Sequence, residues 1–502
     1  LPNSLSVLFN PRAQTIRTLT NPAFLILKKM KAGKHKRRYD MKKLFRRIFA
    51  AASLAILAVS MNACSGDDNV VVVKPAAPTG VVAVFDSMTS ATVTWSPVAS
   101  AASYNVYYST NPDFTLTTPG ISKISGITTI PHHFTDAALT DNTPYYFVVT
   151  TVNSAGTESL ASLKVSATHA SFTQADLTGP WYITVFRTGV GAPPSDLGWL
   201  RMRVTLDGAG SATINTYEQS DGVTTIPAGA LTFTIDANGI VTQGGDFGGL
   251  ASHNVMSSNK QLIVGTNTIS ATVQEIRIFQ KGDALVTFSD ADLAGKSFAF
   301  HQLSSGAEIG WVRGEGSIDA SRVVSITSIF DSATWPAPGT PPAPDTLSID
   351  PATGIVTSLN EPNFQGMMTL DKKMIIGTTR DDLSTIFNLR VIQGTGQTFT
   401  MGDLAGAYNF SSLFDGSSAL WQYGTVTINS SGVTDFLSYL DSTGSSTIPA
   451  SVTISMTAAG TITNAADPTN HGTMSFNKDL FVSTFTAGAV GSEIYGLSFA
   501  VK

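Results

Sequence analysis

"ADLTGPWYITVF" (Ala175–Phe186), "ADLAGKSFAFHQ" (Ala291–Gln302) and "GDLAGAYNFSSL" (Gly402–Leu413) are three openings of one repeated unit. Their Asp-Leu pairs start at Asp176, Asp292 and Asp403, spaced by 116 and 111 residues. A tryptophan follows in each copy: Trp199 in "LGWLRMRVTLD", Trp311 in "IGWVRGEGSID" and Trp421 in "ALWQYGTVTIN". Midway stand "LTFTIDANGIVT", "LSIDPATGIVT" and "VTISMTAAGTIT". The last third aligns as "HNVMSSNKQLIVGT", "QGMMTLDKKMIIGT" and "HGTMSFNKDLFVST", and the copies close on "EIRIFQK", "NLRVIQG" and "YGLSFAV".

Each copy (175–282, 291–394 and 402–502) reads as about eight short strands joined by Gly, Asn or Asp turns, with "DANG" and "PATG" as hairpin signals. No helical periodicity interrupts them, so the fold class is all-β. A meander of that length must manage its two edges, and closing into a small antiparallel barrel removes them. The architecture looks somewhat like the lipocalin and avidin group of barrels. The alternative is a six-bladed propeller, with two four-stranded blades from each copy. Every copy carries its own opening, tryptophan, hairpin and closing strand, so separate barrels are expected. On that reading residues 290–394 fold alone as a monomer.

Gly, Ser and Thr fill the space that charges usually take: only 13 % of the 502 residues are charged, against ~25 % in an average soluble protein. Residues 1–63 hold 13 Lys and Arg against one acid, Asp40. That leaves 18 basic and 35 acidic residues in 64–502, a net charge of about −17. A body so acidic repels nucleic acid, which needs basic surface to displace phosphate counterions. The one cysteine, Cys64, excludes an internal disulfide framework and Cys-rich zinc sites.

From Met41 the chain reads "MKKLFRRIFAAASLAILAVSMNAC". Lys42, Lys43, Arg46 and Arg47 precede an apolar run from Ile48 to Val59, too short to span a bilayer core of ~30 Å and shaped like a secretory signal. With Ala63 before Cys64, the segment resembles the lipobox of bacterial lipoproteins. That resemblance implies a signal peptide at 41–63, lipidation of Cys64, an acidic tether over 64–75, and sorting to the outer membrane because Ser65 follows the cysteine. Residues 1–40 then read as an over-extended start, with Met41 as the first residue.

Between tether and repeats, residues 76–168 alternate with period two: Val93 and Trp95 in "SATVTWSP", Tyr104, Val106 and Tyr108 in "YNVYY". In "LTDNTPYYFVVTTVNSAGTES" the residues Tyr145, Phe147, Val149 and Thr151 alternate, Leu139 stands six residues before Tyr145, and Asn153–Gly156 makes a turn. This segment resembles a fibronectin type III domain, with Trp95 as its core tryptophan and Tyr145 in the tyrosine corner. The resemblance implies a seven-stranded sandwich with a spacer or binding role.

No Ser-His pairing in a Gly-x-Ser-x-Gly setting, His-Glu-x-x-His or Walker motif occurs, so no catalytic residue is assigned and the chain is expected not to be an enzyme. No cofactor is expected. His132 and His133 are adjacent on a strand and point to opposite faces, and Asp381–Asp382 lacks a closing Glu at calcium-loop spacing, so neither reads as a metal site. One aligned set remains. Seven residues before Lys260, Lys372 and Lys478 stand His253, Gln365 and His471. They read either as one polar ligand group per barrel mouth or as strand-start polar residues. Trp199, Trp311 and Trp421 read either as platforms for sugar rings or as core. The expected function is a surface-anchored lipoprotein with a binding, adhesion or display role toward a surface glycan or a protein. The alternatives are a carrier of small apolar ligands inside the barrels and a glycan-active enzyme with accessory modules.

Overall fold

Period-two alternation of apolar side chains makes strand after strand. The computed structural model describes residues 73–190, 197–245 and 252–502. The reading of residues 1–40, the signal 41–63, Cys64 and the start of the tether lies outside the described residues. No helix among the described residues is long and apolar enough to cross a membrane.

The first seven strands are β1 (Val82–Ser87), β2 (Ser90–Thr94), β3 (Ser103–Ser109), β4 (Ser122–Ile127), β5 (His132–Thr135), β6 (Pro144–Val152) and β7 (Val165–Thr168). They form two sheets, β1-β2-β5 and β4-β3-β6-β7, a seven-stranded two-sheet sandwich of the kind the resemblance implied. Val93, Trp95, Tyr104, Val106, Phe147 and Val149 fill the space between the sheets, with Trp95 edge-on to Tyr104 at 5.1 Å. The Tyr145 hydroxyl accepts from the Thr140 amide at 3.1 Å and donates to the Ala138 carbonyl at 3.2 Å, tying the corner before β6 to the core. His132 stacks on Phe134, while His133 turns outward to Asp86 at 2.9 Å. Asp381 spends its carboxylate on its own turn, accepting from the Ile386 amide at 2.8 Å.

Each repeat then opens with a four-residue helix: Gln174–Leu177, Asp290–Leu293 and Met401–Leu404. The aspartate of each Asp-Leu pair accepts from the amide of the residue three before it, at 2.8, 2.8 and 2.7 Å for Asp176, Asp292 and Asp403. The same carboxylates pair with the lysines of the aligned turns: Asp176 with Lys260 at 3.1 Å, Asp292 with Lys372 at 2.9 Å, Asp403 with Lys478 at 2.8 Å. Phe172, Phe288 and Phe399 sit under these lysines and press on Gly239, Gly354 and Gly460. A Cβ at those glycines would meet the rings at 2.8, 2.8 and 2.7 Å, and each has φ above +70°, so the hairpin turns accept only glycine. The repeated helix is thus a plug that seals one end of each unit.

Above the plug, the second and third copies are closed eight-stranded barrels in up-and-down order. Lys296–Gly306 pairs with the last strand Ile386–Gly394, and Gly406–Gly416 with Ile494–Val501. The first copy has eight strands in the same order, and its two end strands meet at the bridge Ser211↔Thr232. In each copy one continuous eight-stranded sheet, closed in the second and third, replaces the two four-stranded blades of the propeller alternative. The barrel interiors are packed side-chain cores: Trp181, Met202, Phe233 and Phe279 in the first, Phe298, Phe300 and Phe364 in the second, Tyr408, Phe410 and Met474 in the third.

The outer faces are equally apolar, and here the expectation of independent barrels is corrected. Ile276 and Ile278 of the first copy, Leu303, Leu389 and Val391 of the second, and Leu413, Leu497 and Phe499 of the third form one buried cluster between the barrels. The repeated tryptophans close it in a cycle. The Trp199 indole N–H donates to the Thr379 carbonyl at 3.1 Å, Trp311 to Thr486 Oγ1 at 2.9 Å, and Trp421 to Thr268 Oγ1 at 2.8 Å. Each copy therefore bonds to the next, and the third returns to the first. The sandwich docks on this body through the third barrel, where the Val81 amide donates to Ser430 Oγ at 2.8 Å and Ala405 joins the sandwich core.

One polar cluster is buried in the first barrel. Glu275 is fully buried between Arg187 (3.0 Å) and Arg277, and accepts from Asn267 Nδ2 at 2.9 Å. Burial pushes its carboxyl up, but the charges of Arg277 and Arg187 and the Asn267 bond outweigh this and hold it below the ordinary glutamate value. A depressed folded value contributes stability above the unfolded value that is lost as pH falls through the folded one. Glu275→Gln, which leaves both arginines without a counter-charge, is expected to cost about 3 kcal/mol at neutral pH. Its melting temperature should also fall less on acidification below about pH 4 than that of the wild type. Thermal melts across pH check both, and equal midpoints at pH 7 would remove the network from the stabilising interactions.

Candidate functional site: a cleft between the second and third barrels

Side chains on the outer barrel face decide what each interface holds. The tryptophan of one copy is followed two residues later by Arg201, Arg313 or Tyr423, on the same face of the strand. Opposite each stands the aligned polar residue of the next copy. Arg201 reaches Gln365 at 3.3 Å, Arg313 faces His471 across one cleft, and Tyr423 stacks on His253 at 4.0 Å. The three aligned positions are thus interface residues on the outer face of the barrels, not groups in barrel mouths. Trp199, Trp311 and Trp421 are 4 %, 1 % and 3 % exposed, so their faces are closed to a sugar ring from solvent.

The interface between the first and second copies is full. Arg201 lies over the Trp199 ring at 3.8 Å and donates to Thr378 Oγ1 at 2.7 Å and the Asn363 carbonyl at 3.0 Å. Glu218 supplies the counter-charge at 3.5 Å. Tyr182 fills the remaining space and takes a hydrogen bond from Gln365 Nε2.

At the next interface the residue aligned with Tyr182 is Ala299. The missing phenol ring coincides with a cleft of about 170 Å³, lined by Ala299, His301, Arg313, Phe330, Trp335 and His471. Arg313 is 6 % exposed and is surrounded by aromatic rings, with centroids at 4.9 Å (Trp311), 5.5 Å (Phe330) and 4.2 Å (Trp335). Its Nη1 donates to the Thr469 carbonyl at 3.3 Å, and no carboxylate among the described residues lies within ion-pair distance. Burial pushes the Arg313 guanidinium down to about 10, so it is still charged at neutral pH.

The two imidazoles add no charge there. His301 is held between Thr484 Oγ1 (3.2 Å) and Thr473 Oγ1 (3.0 Å) of the third copy, and burial, aided by the Arg313 charge, pushes it down to about 3. Burial and the Arg313 charge push His471 down to about 4. Glu315, exposed, stands on the lining two residues beyond Arg313. The cleft is therefore an aromatic-walled recess holding one buried cation. Arg313, Ala299, His301 and Trp335 were not singled out from the sequence. The signal available was the Trp-x-Arg shared by "GWLR" and "GWVR", with tyrosine on the preceding strand in one copy and alanine in the other.

No family model matches the chain, and no curated protein matches it. Among solved structures, it is similar to an Fn3-like protein from Clostridium thermocellum, 33 % identical over 20 % of this chain and 98 % of that one, with a TM-score of 0.17. It is also similar to transferrin binding protein B of Haemophilus parasuis Hp5, 9 % identical over 64 % of this chain and 75 % of that one, with a TM-score of 0.24. Intact Ap-TbpB, with its N and C lobes, is 8 % identical over 87 % of this chain and 97 % of that one, with a TM-score of 0.23.

Proposed function

We propose that this chain is a non-catalytic, ligand-binding lipoprotein, carried at the outer membrane or cell surface by lipid on Cys64. The fibronectin type III domain serves as the spacer and the three-barrel body as the binding head. The observation that carries the binding reading is the unequal filling of equivalent interfaces. Two matching arginines sit on matching strands, yet one is fully paired and walled in while the other faces an open recess without a counter-ion among the described residues. An unpaired buried charge costs several kcal/mol, so it is a group that a ligand would satisfy. The packed barrel interiors speak against the carrier alternative.

Two measurements test this. Cys64→Ser is expected to move the protein from the membrane to the soluble fraction and to abolish metabolic labelling with palmitate, since several acyl chains together give firm anchorage. Unchanged membrane partition in that variant would defeat the anchor. The soluble Cys64→Ser chain, screened by thermal shift against small acids, sugars and peptides, should be stabilised by at least one class. Silence across all classes would defeat the binding reading.

A further inference from the structure

Resting on that reading, we propose that the cleft between the second and third barrels binds a small organic carboxylate with a flat, apolar body. Arginine presents five N–H donors in a planar fork, and Arg313 commits Nη1 to the Thr469 carbonyl, which leaves donors for a carboxylate. Because the cation is 6 % exposed, a paired anion is little screened by solvent. The body of the ligand is set by the walls. Phe330 and Trp335 supply aromatic surface, and Ala299 supplies room. A volume of about 170 Å³ is of the order of the engineered ~150 Å³ cavity that holds benzene. The same volume argues for a free small acid over the carboxyl terminus of a longer chain. His301 and His471 remain neutral at neutral pH and serve as polar walls. Glu315, the one acid on the lining, is exposed to water and opposes a second negative charge, which favours a monoanion.

Sodium benzoate is the probe, titrated calorimetrically into the full chain, with benzamide as the neutral analogue of the same shape. Benzoate should bind and benzamide should bind at least about tenfold more weakly, since hydrogen bonds to a charged group are the stronger kind. Arg313→Gln should weaken benzoate by about tenfold or more. Ala299→Tyr, which installs what the first copy carries at that place, should abolish binding without lowering the melting temperature. If Arg313→Gln fails to fold, Ala299→Tyr and the benzamide comparison still decide. Equal binding of benzamide, benzoate binding unaffected by Ala299→Tyr, or no benzoate binding by the wild type would each overturn the proposal. If another class from the screen binds and is blocked by Ala299→Tyr while benzoate is silent, the carboxylate assignment falls and the binding head stands.

Discussion

Residues 290–394, expressed alone, are expected to self-associate or precipitate, although they contain a complete closed barrel. The interior core of that barrel, built on Phe298, Phe300, Val356 and Phe364, travels with the fragment. Its outer face does not keep its cover. Leu303, Ile376, Phe387, Leu389 and Val391 are at most 0 % exposed in the whole chain because the neighbouring barrels lie on them. Returning such side chains to water costs ~1.5–3 kcal/mol each. Together they are comparable to the ~5–15 kcal/mol by which a whole domain is stable. Trp311 would also lose Thr486 as its acceptor. Sedimentation of 290–394 against 170–502 measures this. The longer piece should be monomeric with one cooperative transition that includes all three barrels, and a monomeric, stable 290–394 would show that the shared core contributes little.

The sequence displayed the barrels more clearly than the way they join. Hairpin signals such as "DANG" and "PATG" lie next to one another in the chain, so strand order and closure followed from local pattern. The Asp-Leu pair and the aligned lysine were both visible as landmarks, but 84 residues separate Asp176 from Lys260, and nothing local reports a contact over that distance. The shared core had a legible trace. In "QLIVGT" Leu262 and Val264 alternate with Ile263 on the other face, and a strand apolar on both faces is buried on both. Reading such strands as barrel walls with one solvated face concealed the second core. The repeated tryptophans belong to that face. Their aromatic character suited sugar stacking equally well, and only their burial separates the two readings. The cleft was harder still, because what defines it is a side chain that one copy lacks, Ala299 in place of the aligned Tyr182. Its meaning depends on which barrel stands opposite.

Tyr145→Ala is expected to unfold the two-sheet sandwich of residues 76–168 in a separate transition while the barrels persist. The ring packs with Phe85 at 5.8 Å and Tyr108 at 6.4 Å, and its hydroxyl holds the corner at Ala138 and Thr140. Removing a buried aromatic leaves a cavity the surroundings fill only in part, at a cost of ~3–5 kcal/mol. The loss of two corner hydrogen bonds adds about 1 kcal/mol each. For a small two-sheet domain that is most of its stability. The barrels do not depend on it in the same way, since their plugs, interiors and shared core are made from residues after Ala170. They meet the sandwich at a dock on the third barrel that includes Ser430, Ser431 and Ala405, so the barrel transition should shift only slightly. Calorimetry would show one transition splitting into two, the lower carried by the sandwich. Tyr145→Phe, which keeps the ring and removes the hydroxyl, separates packing from the corner bonds and should give about a third of the loss. A Tyr145→Ala chain that melts like the wild type would mean that docking on the third barrel, not the sandwich's own core, sets the stability of that domain.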